Sequence, residues 1–140
     1  VLIDCPPSLG LITVNMLVAA DAVLIPLQCE YYALEGLSQL LNTITMIQRG
    51  LNSRLTIDGV LLTMYDTRLN LSRQVATDAR AYFGDKVFRS VVPRNIRLAE
   101  AQSFGKPIII YDITSVGAKA YVDTAKEILE RRLLPVNTQA

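Results

Sequence analysis

The chain opens on three apolar residues, Val1-Leu2-Ile3, that run into Asp4 and then into the turn Cys5-Pro6-Pro7-Ser8-Leu9-Gly10. An apolar run closed by a carboxylate predicts a buried parallel strand over 1–4. Thr13–Ala20 reads as a short apolar helix closed by Asp21. Ala22–Gln28 is a second run of strand length, and Pro26 near its end marks an exit rather than a strand centre. Leu34, Leu37, Leu41, Ile44 and Ile47 recur at helical spacing, with Gly50 as the stop. Gly59–Met64 predicts a third strand. Leu71, Val75, Ala79, Tyr82 and Phe83 form the inner stripe expected of the next helix, which ends at Gly84. Val87–Val92 predicts a fourth strand and Ile96–Gln102 a short helix. Ser115 is placed to cap a last helix that turns Tyr121, Ala125, Ile128 and Leu129 inward.

Continuous apolar strands alternating with helices predict an α/β fold, a mostly parallel sheet covered by helices on both faces. There is no repeat or linker before the Pro135–Ala140 tail, so residues 1–134 read as one unit and 135–140 as a tail. A buried strand has a lead-in and Val1 has none, so the unit is expected to be incomplete at its N-terminus.

Composition sharpens that picture. Hydrophobic residues make up 51% and charged residues 19%, against about 25% charged in a typical domain. The excess implies apolar surface that further chain would cover. Asp21 and Glu30 interrupt the richest apolar stretch well short of a spanning helix, and no membrane is expected as a partner. With no histidine, a His general base, a Ser-His-Asp triad and ordinary zinc sites are excluded. Cys5 and Cys29 both stand at strand ends, where small buried thiols are common, and such usage fits a cytoplasmic protein.

Charge is unevenly distributed. Residues 1–48 hold four acids and no base, whereas 49–97 hold nine bases against four acids. A basic middle block points to a local anionic partner. In sheets of this kind ligands bind beyond the carboxyl ends of the strands. Those ends read Asp4-Cys5-Pro6-Pro7, Gln28-Cys29-Glu30, Met64-Tyr65-Asp66 and Pro93-Arg94-Asn95. Neither a G-x-x-x-x-G-K-[ST] loop nor a G-x-G-x-x-G loop occurs.

Together, Asp4–Gly10, Ile25–Gly36, Gly59–Met64, Val92–Leu98 and Gly105–Ile109 resemble the ParA/Soj partitioning ATPases, and the resemblance extends from Val1 to about Arg131. It implies a P-loop NTPase-like fold of the deviant Walker-A class, whose phosphate loop would lie upstream of Val1. It also implies ATP and Mg²⁺ as cofactors, an ATP-sandwich homodimer, nonspecific DNA and a ParB-type protein as partners, and a nucleoid-associated location in the cytoplasm. Carried over motif by motif, Asp4 resembles the catalytic Walker-B acid that contacts Mg²⁺ through water. Cys5, Pro6, Pro7, Ser8, Leu9 and Gly10 resemble the γ-phosphate switch at the dimer seam, where two prolines limit the loop to few conformations. Thr63, Met64, Pro93, Arg94 and Asn95 resemble the loops bracketing the adenine; Met64 would pack on the base and Asn95 offer an amide. Arg68 and Arg97 resemble the basic residues used for nonspecific DNA binding, which needs positive charge but no base readout. Arg73 and Arg80 read as solvated, Glu35 as a helix-dipole acid and Glu30 as a structural loop residue. Ile113–Gly117 departs from the pattern by lacking the arginines of many relatives. The alternatives are a MinD-like membrane-positioning ATPase, against which Pro135 ends the last helix early, and a nonenzymatic interaction fragment.

Overall fold

The computed structural model describes residues 1–6, 8, 10–31 and 33–133; the side chains at 33–35 and 133 fall outside that description. The elements run α1 (Leu11–Ala19), β1 (Ala22–Gln28), α2 (Ala33–Gly50), β2 (Thr56–Tyr65), α3 (Asn70–Phe83), a 3-10 turn (Gly84–Lys86), β3 (Val87–Pro93), α4 (Ile96–Ser103), α5 (Ile108–Tyr111) and α6 (Val116–Leu133). All strand pairs are parallel in the order β1-β2-β3, with Ala22 opposite Thr56, Gln28 opposite Thr63 and Tyr65 opposite Pro93. Pro26 sits inside β1, where an edge strand tolerates a missing N–H.

Successive strand residues point to opposite faces, and both faces are packed. Ile25, Leu27, Val60, Leu62 and Val87 form one core with Ile44 and Ile47 of α2 and Val75, Ala76 and Ala79 of α3. Leu61, Phe88 and Val92 form the opposite core, against half-buried Leu98 of α4 and Ile128 of α6. Two glycines permit close approach. A Cβ at Gly59 would stand 2.5 Å from the Phe88 ring, and one at Gly117 would stand 2.7 Å from Leu98. Asn52 ties α2 to α1, its Nδ2 donating to the carbonyls of Leu17 (3.1 Å), Val18 (3.0 Å) and Ala20 (2.8 Å).

Several expected positions differ. Val1–Asp4 is exposed and joins no strand pair, because a strand exists through its ladder and no described residue provides one there. Leu71 and Tyr82 face solvent, while Ser72 and Ala76 turn inward. The Ser72 hydroxyl donates to the Cys29 carbonyl at 3.2 Å. Ser115 does cap α6, its Oγ accepting the Ala118 N–H at 3.1 Å. Tyr121, Ala125 and Leu129 nevertheless face outward, and Ala118, Thr124 and Glu127 face inward.

The reason lies at the outer edge of β3, which needs polar partners rather than more apolar cover. The Glu127 carboxylate accepts the backbone N–H groups of Arg89 and Ser90, each at 2.9 Å, and the Ser90 hydroxyl at 2.8 Å. Arg131 donates to the carbonyls of Lys86 (3.3 Å) and Val87 (3.0 Å), pairs with Glu127 at 2.9 Å, and lies 4.0 Å above the Phe88 ring. Burial pushes the Glu127 carboxyl up, but the Ser90 and Arg89 N–H groups, the Ser90 hydroxyl and Arg131 together hold it at about 2.

Glu127→Gln turns an amide NH2 toward backbone donors and is expected to cost about 1–3 kcal/mol. Because the folded pKa is depressed, the stabilisation by Glu127 is complete above the ordinary value of 4.5 and is lost as pH falls through about 2. Thermal melts of the two proteins between pH 6 and pH 2 check both points: the wild-type advantage shrinks across that acid window, and a constant gap would separate Glu127 from the effect.

Candidate functional site

Parallel pairing brings the ends of all three strands to one edge of the sheet. The Cys29 N–H donates to the Thr63 carbonyl at 2.9 Å, and the Arg94 N–H to the Tyr65 carbonyl at 3.0 Å. Arg94 also pairs with Glu30 at 2.6 Å, an ion pair that joins the ends of β1 and β3 across β2. Thr63, Met64, Pro93, Arg94 and Asn95 thereby lie at one edge of the sheet. Met64 is the one non-glycine residue with positive φ (53°) among the described residues, at a register shift between β2 and β3. A side chain held in the left-handed region costs energy that the surrounding hydrogen bonds must offset. Met64 is half-buried, and the Asn95 Oδ1 accepts the Arg97 N–H at 2.9 Å as the N-cap of α4. With that oxygen occupied, the Nδ2 donors of Asn95 are the group available to a ligand. A half-buried thioether and an amide with free donors are groups of the kind that suit the apolar face and polar rim of a nucleobase.

The other half of the expected site is held differently. Asp4, Cys5, Pro6, Ser8 and Gly10 are exposed; Pro7 and Leu9 lie outside the described residues. Cys29 is buried, and burial pushes its thiol up, as expected for a core cysteine. Cys5 is exposed, which corrects that expectation: residues 1–6 join no strand pair, so Cys5 ends no strand of the sheet. The Ser8 carbonyl accepts the Thr13 hydroxyl at 2.6 Å, and Gly10 is the N-cap of α1. Asp4 makes no hydrogen bond or ion pair among the described residues, and no group of three or more potential metal ligands forms among them. Mg²⁺ keeps most of its waters and uses one or two carboxylates besides phosphate oxygens. An unpartnered, solvent-facing carboxylate such as Asp4 fits that kind of contact.

Both candidate DNA arginines are exposed, and both are paired with acids. Arg68 forks onto Asp66, Nε to Oδ1 at 2.9 Å and a terminal nitrogen to Oδ2 at 2.7 Å. The side-chain and backbone hydrogen bonds from Arg68 hold the Asp66 carboxyl at about 2. Arg97 lies between Glu100 (2.8 Å) and Asp112 (3.5 Å). Arg73 instead bonds the Asn70 side chain, and Arg80 is exposed. Arg68 lines an open groove of about 940 Å³ whose other walls include Arg89 of β3 and Lys119 and Lys126 of α6. Sequence reading missed the acid partners and the α6 lysines. The Asp66-x-Arg68 and Arg97-x-x-Glu100 spacings were the available signal, the first as an Asx turn and the second as a helical i, i+3 pair.

Comparison with known proteins places these loops in context. A family profile described as an AAA domain matches residues 1–57. The chain is 62% identical over 128 residues to the sporulation initiation inhibitor protein Soj of Bacillus subtilis, covering 91% of this chain and 51% of that protein. It is 59% identical over 131 residues to the chromosome partitioning protein ParA of Caulobacter vibrioides, covering 94% and 49%. The chain thus spans about half the length of the curated relatives it matches. Among solved structures, cobyrinic acid a,c-diamide synthase of Mycobacterium smegmatis with a bound ATP analog and magnesium aligns with a TM-score of 0.76 at 36% identity, over 94% of this chain and 47% of that one. The cell division ATPase MinD of Pyrococcus furiosus aligns with a TM-score of 0.70 at 25% identity, over 91% and 50%. The open parallel sheet is that of the P-loop NTPases, and the chain belongs to the ParA/Soj family of partitioning proteins.

Proposed function

We propose that this chain forms part of an ATP-driven DNA-segregation ATPase, one that dimerises around ATP, binds DNA nonspecifically on the nucleoid and is stimulated by a ParB-type partner. The observation that carries the reading is the gathering of the 63–66 and 93–97 loops at the carboxyl edge of the sheet, within a chain 59–62% identical to Soj and ParA proteins. Thr63, Met64 and Pro93–Asn95 bracket the base. Asp4 contacts Mg²⁺ through water, and Cys5–Gly10 form the switch at the dimer seam. The metal supplies charge neutralisation at the phosphates. Phosphoryl transfer depends mainly on positioning and charge, so the absence of histidine is no obstacle. The MinD-like alternative has a structural likeness at 25% identity behind it, well below the identity to partitioning proteins.

In the complete protein that carries this sequence, Asp4→Ala is expected to lower ATP turnover by about 10²-fold or more, the scale of losing one preorganised electrostatic contact. Steady-state hydrolysis measures it, and near-normal turnover would make Asp4 a turn residue. Met64→Ala is expected to weaken ATP binding while leaving affinity for inorganic phosphate unchanged; equal ATP affinity would move the base elsewhere. For DNA, Arg68→Ala or Arg97→Ala should weaken all sequences alike. In a dimer, each should lower the magnitude of the log–log salt slope by up to about 2. Arg73→Ala is the control, and slopes equal to wild type for both variants would relocate the DNA surface.

A further inference from the structure

Arg68 and Arg97 share an arrangement that chance surface pairing does not explain. In each case the acid is anchored by a group other than the guanidinium it pairs with. The Asp66 Oδ1 accepts the backbone N–H of Arg68 at 3.0 Å, and the carboxylate is only 10% exposed while the Arg68 side chain is 84% exposed. Asp112 accepts the Thr114 N–H at 3.1 Å and its hydroxyl at 2.8 Å, and Glu100 accepts the Tyr111 hydroxyl at 3.2 Å. Each carboxylate is therefore held by a further hydrogen bond and is less exposed than the arginine it meets.

We propose that Asp66, Glu100 and Asp112 set the DNA affinity of this protein by holding Arg68 and Arg97 in self-neutralised pairs that a DNA phosphate must displace. The inference rests on the proposal that these two arginines contact DNA. An exposed ion pair is weak and is screened by salt, so a phosphate on a highly charged duplex can replace it. The anchored carboxylate then stays behind without its partner and takes up a cation. That uptake offsets part of the counterion release that drives nonspecific binding. Removing the acid's charge eliminates the competition without touching the arginine. At Asp66, asparagine keeps an oxygen for the Arg68 N–H, so the turn survives the substitution.

The test is a DNA titration over a salt series with the complete protein and ATP, on a duplex of arbitrary sequence. Asp66→Asn is expected to tighten binding about two- to fivefold per chain, the scale of an exposed ion pair, and Glu100→Gln by less, because Asp112 still pairs with Arg97. For Asp66→Asn the magnitude of the salt slope should rise by less than about 1 per chain, the share of the counterion release that cation uptake on Asp66 had offset. In the double variant Asp66→Asn/Arg68→Ala the gain should vanish relative to Arg68→Ala alone. The two variants lie on separate elements, so a folding defect in one leaves the other informative. If Arg68→Ala weakens DNA while Asp66→Asn leaves affinity unchanged or lowers it, the acids orient the arginines and this inference falls, with the DNA surface still standing. If Arg68→Ala and Arg97→Ala both bind as wild type does, the DNA surface itself is misplaced.

Discussion

Glu127 and Arg131 stand in for a fourth strand, and much of the candidate site depends on that substitution. The outer edge of β3 presents N–H and C=O groups that need partners, and the two side chains supply an acceptor pair and a donor fork. The core on that face is thin: among the described residues its cluster holds Leu61, Phe88 and Val92, so apolar contact alone gives α6 a weak seat. Once α6 is seated, Gly117 lets Leu98 of α4 approach closely. That contact orients α4, whose first turn carries the Asn95 cap and Arg97. A polar clip at one end of the sheet thus fixes residues at its functional edge.

Charge follows a similar logic of partners brought from elsewhere. Along the sequence, residues 49–97 look strongly basic. In the fold Arg94 meets Glu30, Arg89 meets Glu127 and Glu130, and Arg97 meets Glu100 and Asp112, all acids outside that block. The block is much less positive in space than in sequence. A DNA surface built here would draw on exposed guanidiniums that exchange partners, rather than on a standing field of unpaired charge.

How far the sequence carried the reading depended on whether one periodicity settled each position. Ala22–Gln28 and the helix over 34–50 emerged as read, because unbroken apolar runs and a strong helical stripe leave little choice. The strand-end loops were legible for the same reason: where the strands stop is where the polar residues begin. Val1–Asp4 failed because apolar composition does not create a pairing partner. The inner face of α6 was read only in part: Ile128 packs inward, but the sequence offers both Tyr121-Ala125-Leu129 and Thr124-Glu127-Arg131 beside it. Hydrophobicity selects the first. The hydrogen-bond demand of a strand edge selects the second, and only the sheet order reveals that demand. The ion pairs at Glu30–Arg94 and Arg97–Asp112 span too many residues for local spacing to expose them.

The two halves of the candidate site are held by different means, and that separates their roles physically. The base-side bracket is cross-linked by backbone hydrogen bonds at Cys29–Thr63 and Tyr65–Arg94 and by the Glu30–Arg94 pair. Those restraints are strong enough to keep Met64 in a backbone region that a non-glycine residue rarely adopts. Not one of them involves residues 1–10. Asp4, by contrast, faces solvent on a segment outside the sheet. A preorganised group binds without paying for its ordering, whereas Asp4 must be placed by whatever it meets. The 63–66 and 93–97 loops are therefore ordered within this stretch of chain, while the placement of Asp4 depends on the interactions that order its segment.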